Sequence, residues 1–243
     1  MNEVKLIIFD LDNTLVNYGG VTKKAWQLTC TKLKENITIK CSVDELVDKI
    51  MKVNDGVWND ENKRPKGNFS FYDLRKSIVL EAFSQLHIDN NDAVRFLVDN
   101  YAYYKNKAIY VFEDVFEDVF ETLQLLKKKG YTLALLTNGD AQTQREKLKR
   151  FDLEPLFDGI FIDGEQGVGK PEKAAYDNIC QTFHVKAHEA CMIGDHFLWE
   201  VVAPIRYGMH AIWVKRDENQ TFYDDSIEPD AIIHQIRELL YIF

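Results

Sequence analysis

The sequence predicts an α/β protein in which a parallel β-sheet with crossover helices is interrupted by a long helical insertion. Three observations support this prediction. The run Leu6–Phe9 is continuously apolar, as in a strand that is buried on both faces of a parallel sheet. Residues 21–107 carry apolar residues at helical spacing and contain no apolar strand run. Beyond them, short apolar runs alternate with helical patterns, which is typical of strands joined by crossover helices.

The predicted elements follow in chain order. The insertion contains helices near 21–35, 42–58, 70–87 and 91–106. After it, strands are predicted at 131–136, 160–162, 191–193 and 210–214, and helices at 142–151, 172–183, 201–207 and 233–240. The chain is thereby divided into an α/β core, residues 1–17 and 108–243, and an inserted helical domain, residues 18–107.

Composition and charge narrow the possible functions. The net charge of −9 at pH 7 argues against nucleic acid or an anionic membrane surface as the main partner. No apolar run reaches the roughly 18 residues that a membrane span needs, and no signal-peptide pattern precedes the first strand. The four cysteines are scattered, which is typical of reduced thiols. We therefore expect a soluble, cytoplasmic protein that is a monomer or a homodimer.

Two acids follow the first strand directly. Asp10 and Asp12 stand one residue apart at its carboxyl end, the edge of an open α/β sheet where ligands bind. Neighbouring carboxylates cost free energy unless they hold a cation or take part in chemistry. An EF-hand loop also begins with Asp-x-Asp, but Leu15 and Val21 stand where that loop needs glycine and glutamate. The pair therefore predicts an active site at this strand end.

A second polar group follows the strand predicted at 131–136. Asn138 and Gly139 could form a hairpin turn, but the residues after Asp140 favour a helix over a returning strand. A strand that turns directly into a helix presents the Thr137 hydroxyl, an amide and free backbone N–H groups, which suit an oxyanion. We expect a phosphate group at this turn.

The third motif, residues 164–171, matches a phosphate-binding P-loop in all but its last position. Pro171 stands where that loop needs serine or threonine, so the hydroxyl that binds Mg²⁺ and a backbone N–H are both missing. A P-loop NTPase is therefore the less favoured alternative. We expect Pro171 in the first turn of the next helix, with Lys170 just before it as a fixed cation that faces the strand ends.

The fourth motif ends the strand predicted at 191–193. Asp195 follows Gly194, an arrangement that is also common at turns and helix N-caps. Glu200 stands five residues further on, where an acid also favours a first helical turn. Neither acid indicates a function by itself, and the case for a site depends on the four motifs taken together.

Together the four motifs resemble those of the haloacid dehalogenase superfamily, whose phosphatases carry D-x-D-x-T, a serine or threonine, a lysine and G-D-x-x-x-x-D at successive strand ends. The matching residues are Asp10, Asp12, Thr14, Thr137, Lys170 and Asp195. The resemblance implies a Rossmann-like core, and it identifies residues 18–107 as a helical cap of the class-one arrangement. One position differs, because Glu200 stands where the family usually has aspartate.

The resemblance also implies a mechanism. Asp10 would attack the phosphorus of a phosphomonoester to give an aspartyl-phosphate, and Asp12 would protonate the leaving oxygen and later activate water. The implied Mg²⁺ ligands are Asp10, Asp12 through its main-chain carbonyl, Asp195 and Glu200. Lys170 would neutralise the transferring phosphoryl group. The implied phosphate contacts are Thr14, Thr137, Asn138 and Gly139.

The resemblance further indicates a substrate class. Residues 136–147 are similar to the N-acylneuraminate-9-phosphatase and pyrimidine 5′-nucleotidase branch of the superfamily, which suggests a sugar phosphate or a nucleoside monophosphate. Dehalogenases of the superfamily lack an acid at the position of Asp12. A binding or regulatory module with little or no activity is the alternative that Glu200 leaves open. Candidate substrate contacts in the insertion are Trp58, Arg64, Lys66, Tyr72 and Arg75.

Overall fold

The structure is a computed structural model that describes residues 3–58, 60, 63, 70–112, 114–216 and 226–243. The chain divides into two units, one formed by Met1–Asn17 with Asp114–Phe243 and the other by Tyr18–Glu113. The first unit has an α/β fold, and the second is helical in its described part. The boundary expected after residue 107 falls inside a helix that runs to Phe112.

In the described part of the α/β unit, six strands form one sheet in which every neighbouring pair is parallel. The strands among the described residues are β1 (Leu6–Phe9), β2 (Val16–Asn17), β3 (Asp114–Val115), β4 (Thr132–Thr137), β5 (Gly159–Ile162), β6 (Ala190–Gly194), β7 (His210–Val214) and β8 (Ala231–Ile233). The sheet order is β5-β4-β1-β6-β7-β8, and β2 pairs with β3 in a separate antiparallel ribbon.

The described helices form two groups, and those of the α/β unit alternate with strands β3 to β7. Those of the helical unit are α1 (Gly19–Asn36), α2 (Val43–Trp58), α3 (Phe71–Gln85) and α4 (Asn91–Phe112). Those of the α/β unit are α5 (Val119–Lys128), α6 (Ala141–Arg150), α7 (Asp163–Gln166), α8 (Lys173–Thr182) and α9 (Ala203–Tyr207). Short 3₁₀ turns lie at Glu154–Leu156, Ala187–Glu189 and Ile236–Tyr241. The alternation confirms the predicted α/β class with a Rossmann-like parallel sheet.

The central strand β1 is buried on both faces, which explains why its sequence is continuously apolar. Ile7 and Phe9 pack into the cluster that includes α5, whereas Leu6 and Ile8 pack into the cluster that includes α8. Because side chains alternate along a strand, the chain needs apolar residues at all four positions. At the end of the strand, the backbone N–H of Asp10 still donates to Ile193 in β6 at 2.9 Å.

Two further predictions, both about elements of the α/β unit, differ from the structure. The closing helix predicted at 233–240 begins instead as β8, because Ile233 pairs with Val214 and extends the sheet past β7; only a 3₁₀ turn follows. Pro171 does not lie in the first turn of α8. The N–H of Glu172 donates to the carbonyl of Gly169 at 2.9 Å, and the turn that this bond closes precedes the helix, which starts at Lys173.

In the helical unit, three of the five candidate substrate contacts are described. Trp58 is half-buried, and the Tyr72 hydroxyl donates to Asp99 at 2.7 Å. The Arg75 guanidinium donates to the Val98 carbonyl at 3.2 Å and lies over the Tyr101 ring. Tyr72 and Arg75 therefore join α3 to α4. The other two candidates, Arg64 and Lys66, lie outside the described residues.

All four cysteines lie within the described residues and are buried as free thiols, as expected of reduced side chains. None of the helices in the described ranges combines the length and the apolar character that a bilayer crossing demands.

Candidate active site

The polar residues that the sequence places after β1, β4 and β6 meet at one edge of the sheet. Asp10 follows β1, Thr137 ends β4 and Asp195 follows β6, and these strands are adjacent in the sheet. Carboxyl ends of adjacent parallel strands form the edge at which ligands bind in open α/β sheets. Asp10 and Thr137 are nevertheless almost fully buried, so side chains from the connecting segments must enclose them.

A buried lysine joins two of the acids. The Lys170 ammonium lies 2.5 Å from Asp10 Oδ1 and 2.8 Å from Glu200 Oε1. The exposed fraction is 4% for Lys170 and 1% for Glu200, so neither charge is solvated and each depends on its partner. The motif with Gly164 and Lys170 therefore supplies the site with a fixed cation. It is interrupted by α7 and lacks the direct entry into a helix that a P-loop has.

The Asn138 side chain holds the backbone of Lys170. Its amide nitrogen donates to the Lys170 carbonyl at 2.7 Å, and its oxygen accepts from the Lys170 N–H at 2.8 Å. A Cβ at Gly169 would lie 2.6 Å from the same oxygen, so glycine is needed there. Asn138 was expected to contact phosphate; in the structure its side chain positions the catalytic lysine candidate, and only its backbone is left for an anion.

Glu200 enters the site from an unusual helical turn. Phe197–Val202 forms a π-helix, a conformation that is rare and often occurs at functional sites. One Glu200 oxygen accepts from the N–H of His196, and the other accepts from Lys170. A Cβ at Gly194 would lie 2.5 Å from Glu200 Oε2. The glycine of the fourth motif thus makes room for the longer acid.

The apolar residues on either side of Glu200 have a packing role. Phe197, Val201 and Val202 are buried in a cluster with Trp213 of β7, and the Phe197 and Trp213 rings meet edge-on at 5.0 Å. The Trp213 indole N–H donates to the carbonyl of Asp195 at 2.8 Å. Trp213, packed against the segment around Glu200, therefore anchors the loop that carries Asp195.

Thr14 was expected to contact phosphate, but the structure commits its hydroxyl to the acids. The hydroxyl oxygen donates to Asp10 Oδ2 at 3.1 Å and accepts from the Asp195 N–H at 3.1 Å. The side chain is fully buried. The backbone carbonyl of Thr14 accepts from the Arg216 guanidinium at 2.8 Å, and the same guanidinium lies 3.3 Å from Asp118 Oδ1. Thr14 therefore orients Asp10 and Asp195, which fits a positioning role better than substrate contact.

Three acids form a group that could hold a metal ion. Oxygen atoms of Asp10, Asp195 and Glu200 lie within 4.8 Å of one another. Mg²⁺ takes oxygen ligands and is commonly bound by one or two carboxylates together with water, so the carboxylates present fit this ion. Asp12 contributes no side-chain atom to the group; its place in the expected ligand set rests on its main-chain carbonyl.

The electrostatics show a shortage of positive charge. Burial raises the pKa of Asp10 to about 7, although the Lys170 ammonium opposes the shift, and repulsion by Glu200 adds to it. Burial, Glu200 and Asp10 hold the pKa of Asp195 well above its usual range. Burial alone would lower the pKa of Lys170, but Asp10 and Glu200 outweigh it and raise that pKa. A divalent cation would relieve the repulsion among these acids.

Two side chains of α6 complete the site and were missed in the sequence analysis. Gln144 donates from Nε2 to Thr137 Oγ1 at 2.7 Å and to Asp12 Oδ2 at 3.1 Å. The Lys147 ammonium pairs with Asp12 Oδ1. Both side chains are buried. With Leu148 they occupy one face of α6 at helical spacing, a signal that was present in the sequence.

The turn between β4 and α6 has the strand-to-helix form that the sequence predicts. Asp140 caps α6, because its Oδ1 accepts from the Thr143 N–H at 2.9 Å. Gly139 has a φ of 130°, which favours glycine, and its carbonyl accepts from the Gly164 N–H at 3.0 Å. The Thr137 hydroxyl accepts from Gln144 and donates to the Asn138 carbonyl at 3.4 Å. That donation is long, so the hydroxyl proton can turn to an anion instead.

Comparison with known proteins places this site in context. The family described as haloacid dehalogenase-like hydrolase matches residues 4–201, and a second family, HAD-hydrolase-like, matches residues 167–239. Glyceraldehyde 3-phosphate phosphatase of Pyrococcus furiosus is 28% identical over 88% of this chain and 82% of its own length. Human N-acylneuraminate-9-phosphatase is 26% identical over 89% of this chain and 85% of its own length.

Solved structures share the fold. YfnB from Bacillus subtilis, described as a HAD-hydrolase bound to magnesium, superposes with a TM-score of 0.76 and 20% identity over 98% of both chains. The L-2-haloacid dehalogenase RSc1362 superposes with a TM-score of 0.70 and 19% identity, again over 98% of both chains. At these identities the structures establish the fold alone.

Proposed function

The chain belongs to the haloacid dehalogenase-like hydrolase family and is a phosphatase, and from this premise we propose that it uses Mg²⁺ and an aspartyl-phosphate on Asp10 to hydrolyse a small phosphorylated metabolite. One observation carries the proposal. The Asp10 carboxylate is held between the Lys170 ammonium and the Thr14 hydroxyl, while Asp12, two residues on, is held separately by α6. The site thus separates a nucleophile from an acid–base group.

In the first half-reaction, Asp10 attacks phosphorus and the bond from phosphorus to the leaving oxygen breaks. Asp12 gives its proton to that oxygen. Lys170 and Thr137 offer N–H and O–H donors to the phosphoryl oxygens as their charge redistributes. When bound by Asp10, Asp195 and Glu200, Mg²⁺ supplies further neutralisation of this charge.

In the second half-reaction, Asp12 takes a proton from water, and the water oxygen attacks the phosphorus of the aspartyl-phosphate. Phosphate leaves, and Asp10 is restored as a carboxylate. Asp12 ends the cycle protonated, as it began, so the hydrolysis balances with one water consumed. The fixed positions of Lys170 and Thr14 serve both halves. The same Asp10 oxygen forms the bond to phosphorus in the first half and loses it in the second.

For the substrate, we favour a sugar phosphate, with nucleoside monophosphates as the second class. The two relatives above are named for a phosphorylated triose and a phosphorylated acidic sugar. An acid at position 12 suits an alkyl leaving group, which must be protonated as it departs. Selection within the class would fall to the helical unit, which we propose serves as a cap.

A broad panel of phosphomonoesters, each assayed with Mg²⁺ and with excess chelator, tests the proposal. We expect turnover of at least one sugar phosphate or nucleotide with Mg²⁺ and loss of turnover with chelator, because the acids then repel one another and the phosphate. Restoration by added Mg²⁺ is the control. Undiminished turnover in chelator would contradict the metal assignment. No turnover of any ester would favour the binding module, and faster hydrolysis of ATP than of any monoester would favour the NTPase.

The Mg²⁺ requirement should also depend on pH. The raised pKa values of Asp10, about 7, and of Asp195 make protons compete with the metal for the same oxygens. Below these pKa values the carboxyls are protonated and bind Mg²⁺ weakly, so the half-saturating Mg²⁺ concentration should fall between about pH 6 and about pH 8. Titrating Mg²⁺ at several pH values measures this directly.

Glu200→Gln should weaken Mg²⁺ binding without removing the chemistry. Glu200 accepts one hydrogen bond on each oxygen, from Lys170 and from the His196 N–H, and glutamine has only one acceptor oxygen. We expect the half-saturating Mg²⁺ concentration to rise roughly 10- to 100-fold, as for other residues that support metal sites. The saturated rate should stay closer to wild type than in Asp195→Asn. Loss of the Mg²⁺-induced rise in melting temperature gives a second readout, and an unchanged rise would contradict the assignment.

A further inference from the structure

The site contains a second buried lysine with a different partner from the first. Lys147 is 4% exposed and pairs with Asp12, whereas Lys170 pairs with Asp10 and Glu200. A buried ammonium is costly unless an acid and hydrogen bonds compensate it. The nucleophile and the acid–base residue are therefore each held by a lysine of their own.

The support for Asp12 is built into one helical turn. Gln144 and Lys147 stand three residues apart on the buried face of α6, so their side chains point the same way. Gln144 donates to one Asp12 oxygen, and Lys147 donates to the other. Because Gln144 also donates to Thr137 at 2.7 Å, the turn ties the acid–base residue to the end of β4.

We propose that Lys147, with Gln144, is the positioning residue that aims the Asp12 carboxyl at the leaving oxygen of the substrate. This inference rests on the proposed function. Each Asp12 oxygen has one lone pair occupied by a donor from α6, so the side chain cannot rotate freely and the remaining lone pairs face a fixed direction. Lys147 acts through Asp12 and is not itself required to touch the phosphoryl group.

A positioning role has a signature that a purely structural role lacks. The proton from Asp12 is needed when the leaving group is an alkoxide and is scarcely needed when it is a stable anion such as 2,4-dinitrophenolate. Misplacing Asp12 should therefore slow the cleavage of alkyl phosphates and spare that of 2,4-dinitrophenyl phosphate. The comparison uses kcat/KM, which reports the steps up to the release of the first product and so excludes the later use of Asp12 as a base.

The test compares Lys147→Met with Lys149→Met, a matched control at an exposed position of the same helix. We expect Lys147→Met to lower kcat/KM for the best sugar phosphate of the panel by about 10- to 100-fold, a part of the roughly 10²- to 10⁴-fold that general acid catalysis contributes. For 2,4-dinitrophenyl phosphate we expect at most a few-fold change. Lys147→Arg, which keeps the cation, should recover part of the loss, and Lys149→Met should behave like wild type.

Other outcomes would overturn the inference. Equal losses on both esters, together with a lower melting temperature, would make Lys147 a structural residue only, and unchanged kcat/KM on the sugar phosphate would make the ion pair irrelevant to catalysis. Lys147→Gln, which keeps a polar side chain at the buried position but removes the cation, gives the same comparison if Lys147→Met does not fold. A wild-type protein that hydrolyses neither ester would instead overturn the proposed function, and the inference with it.

Discussion

Asp10→Asn should leave essentially no phosphatase activity. The substitution keeps the size of the side chain but removes the nucleophilic carboxylate, whose two oxygens are held by Lys170 and by Thr14. Loss of a covalent nucleophile costs on the order of 10⁵-fold or more in kcat, which corresponds to about 7 kcal/mol of transition-state stabilisation. The measurement is the steady-state rate on the best substrate of the panel at saturating Mg²⁺.

A chemical readout accompanies this rate. Acid-quenched wild-type reactions should contain phosphate on the peptide that carries Asp10, and Asp10→Asn should contain none. Asp89→Asn, at an exposed position of the helical unit, is the matched control and should keep the activity of wild type. Phosphate on a serine, histidine or cysteine, or substantial turnover by Asp10→Asn with a normal melting temperature, would refute the assigned nucleophile.

Asp12→Asn should have the second-largest effect and a different signature. General acid–base catalysis contributes roughly 10²- to 10⁴-fold, so a sugar phosphate should be hydrolysed that much more slowly, a loss of about 3–5 kcal/mol. Asparagine has one acceptor oxygen, so it keeps only one of the two hydrogen bonds that Lys147 and Gln144 donate to the separate Asp12 oxygens. It also has no acidic proton to give and cannot take one from water.

The two halves of the reaction separate in this variant. With 2,4-dinitrophenyl phosphate the first half needs little help from an acid, whereas hydrolysis of the aspartyl-phosphate still needs a base. We expect a burst of dinitrophenolate equal to one per active site, followed by slow turnover, and accumulation of phosphate on Asp10. Wild type should show less phosphoenzyme under the same conditions. A rate like that of wild type on sugar phosphates would remove Asp12 from the mechanism.

Much of the site follows from local sequence because its acids are fixed by the strands that precede them. The apolar run of β1 predicts a strand buried on both faces. Because Asp10 follows this strand directly, it must lie at the carboxyl edge of the sheet. The same holds for Thr137 at the end of β4 and for Asp195 directly after β6. In each case the distance along the chain from strand to side chain is too short for tertiary structure to alter the outcome.

Roles that depend on a partner far along the chain were harder to predict. Thr14 and Asn138 were expected to bind phosphate, but their side-chain hydrogen bonds go to Asp195, Asp10 and Lys170. A hydroxyl or an amide serves an anion or a neighbouring backbone group equally well. Only the position of the neighbour decides between the two uses, and sequence spacing does not contain that position.

The closing strand shows the same limit in the fold. The apolar residues of the last segment are compatible with helical spacing, yet Ala231–Ile233 pairs with β7. An open sheet edge leaves backbone N–H and C=O groups that a further strand can satisfy. These unpaired groups are present only once β7 has formed. No pattern within residues 231–233 themselves therefore indicates the pairing.

The sequence by itself determined the α/β class, the helical insertion and the order in which Asp10, Thr137, Lys170 and Asp195 reach the sheet edge, because these depend on apolar periodicity and on residues adjacent to strand ends. Only the tertiary structure decided which lysine serves which acid. From sequence alone, Lys147 on an amphipathic helix would be interpreted as a solvated charge. In the fold, α6 packs with that face toward Asp12, and Lys147 is buried against it. Likewise, Glu200 reaches Lys170 only because a π-turn and the missing side chain of Gly194 admit it. Both pairings join residues that are distant in sequence, and their energies arise from burial, which only the folded chain creates.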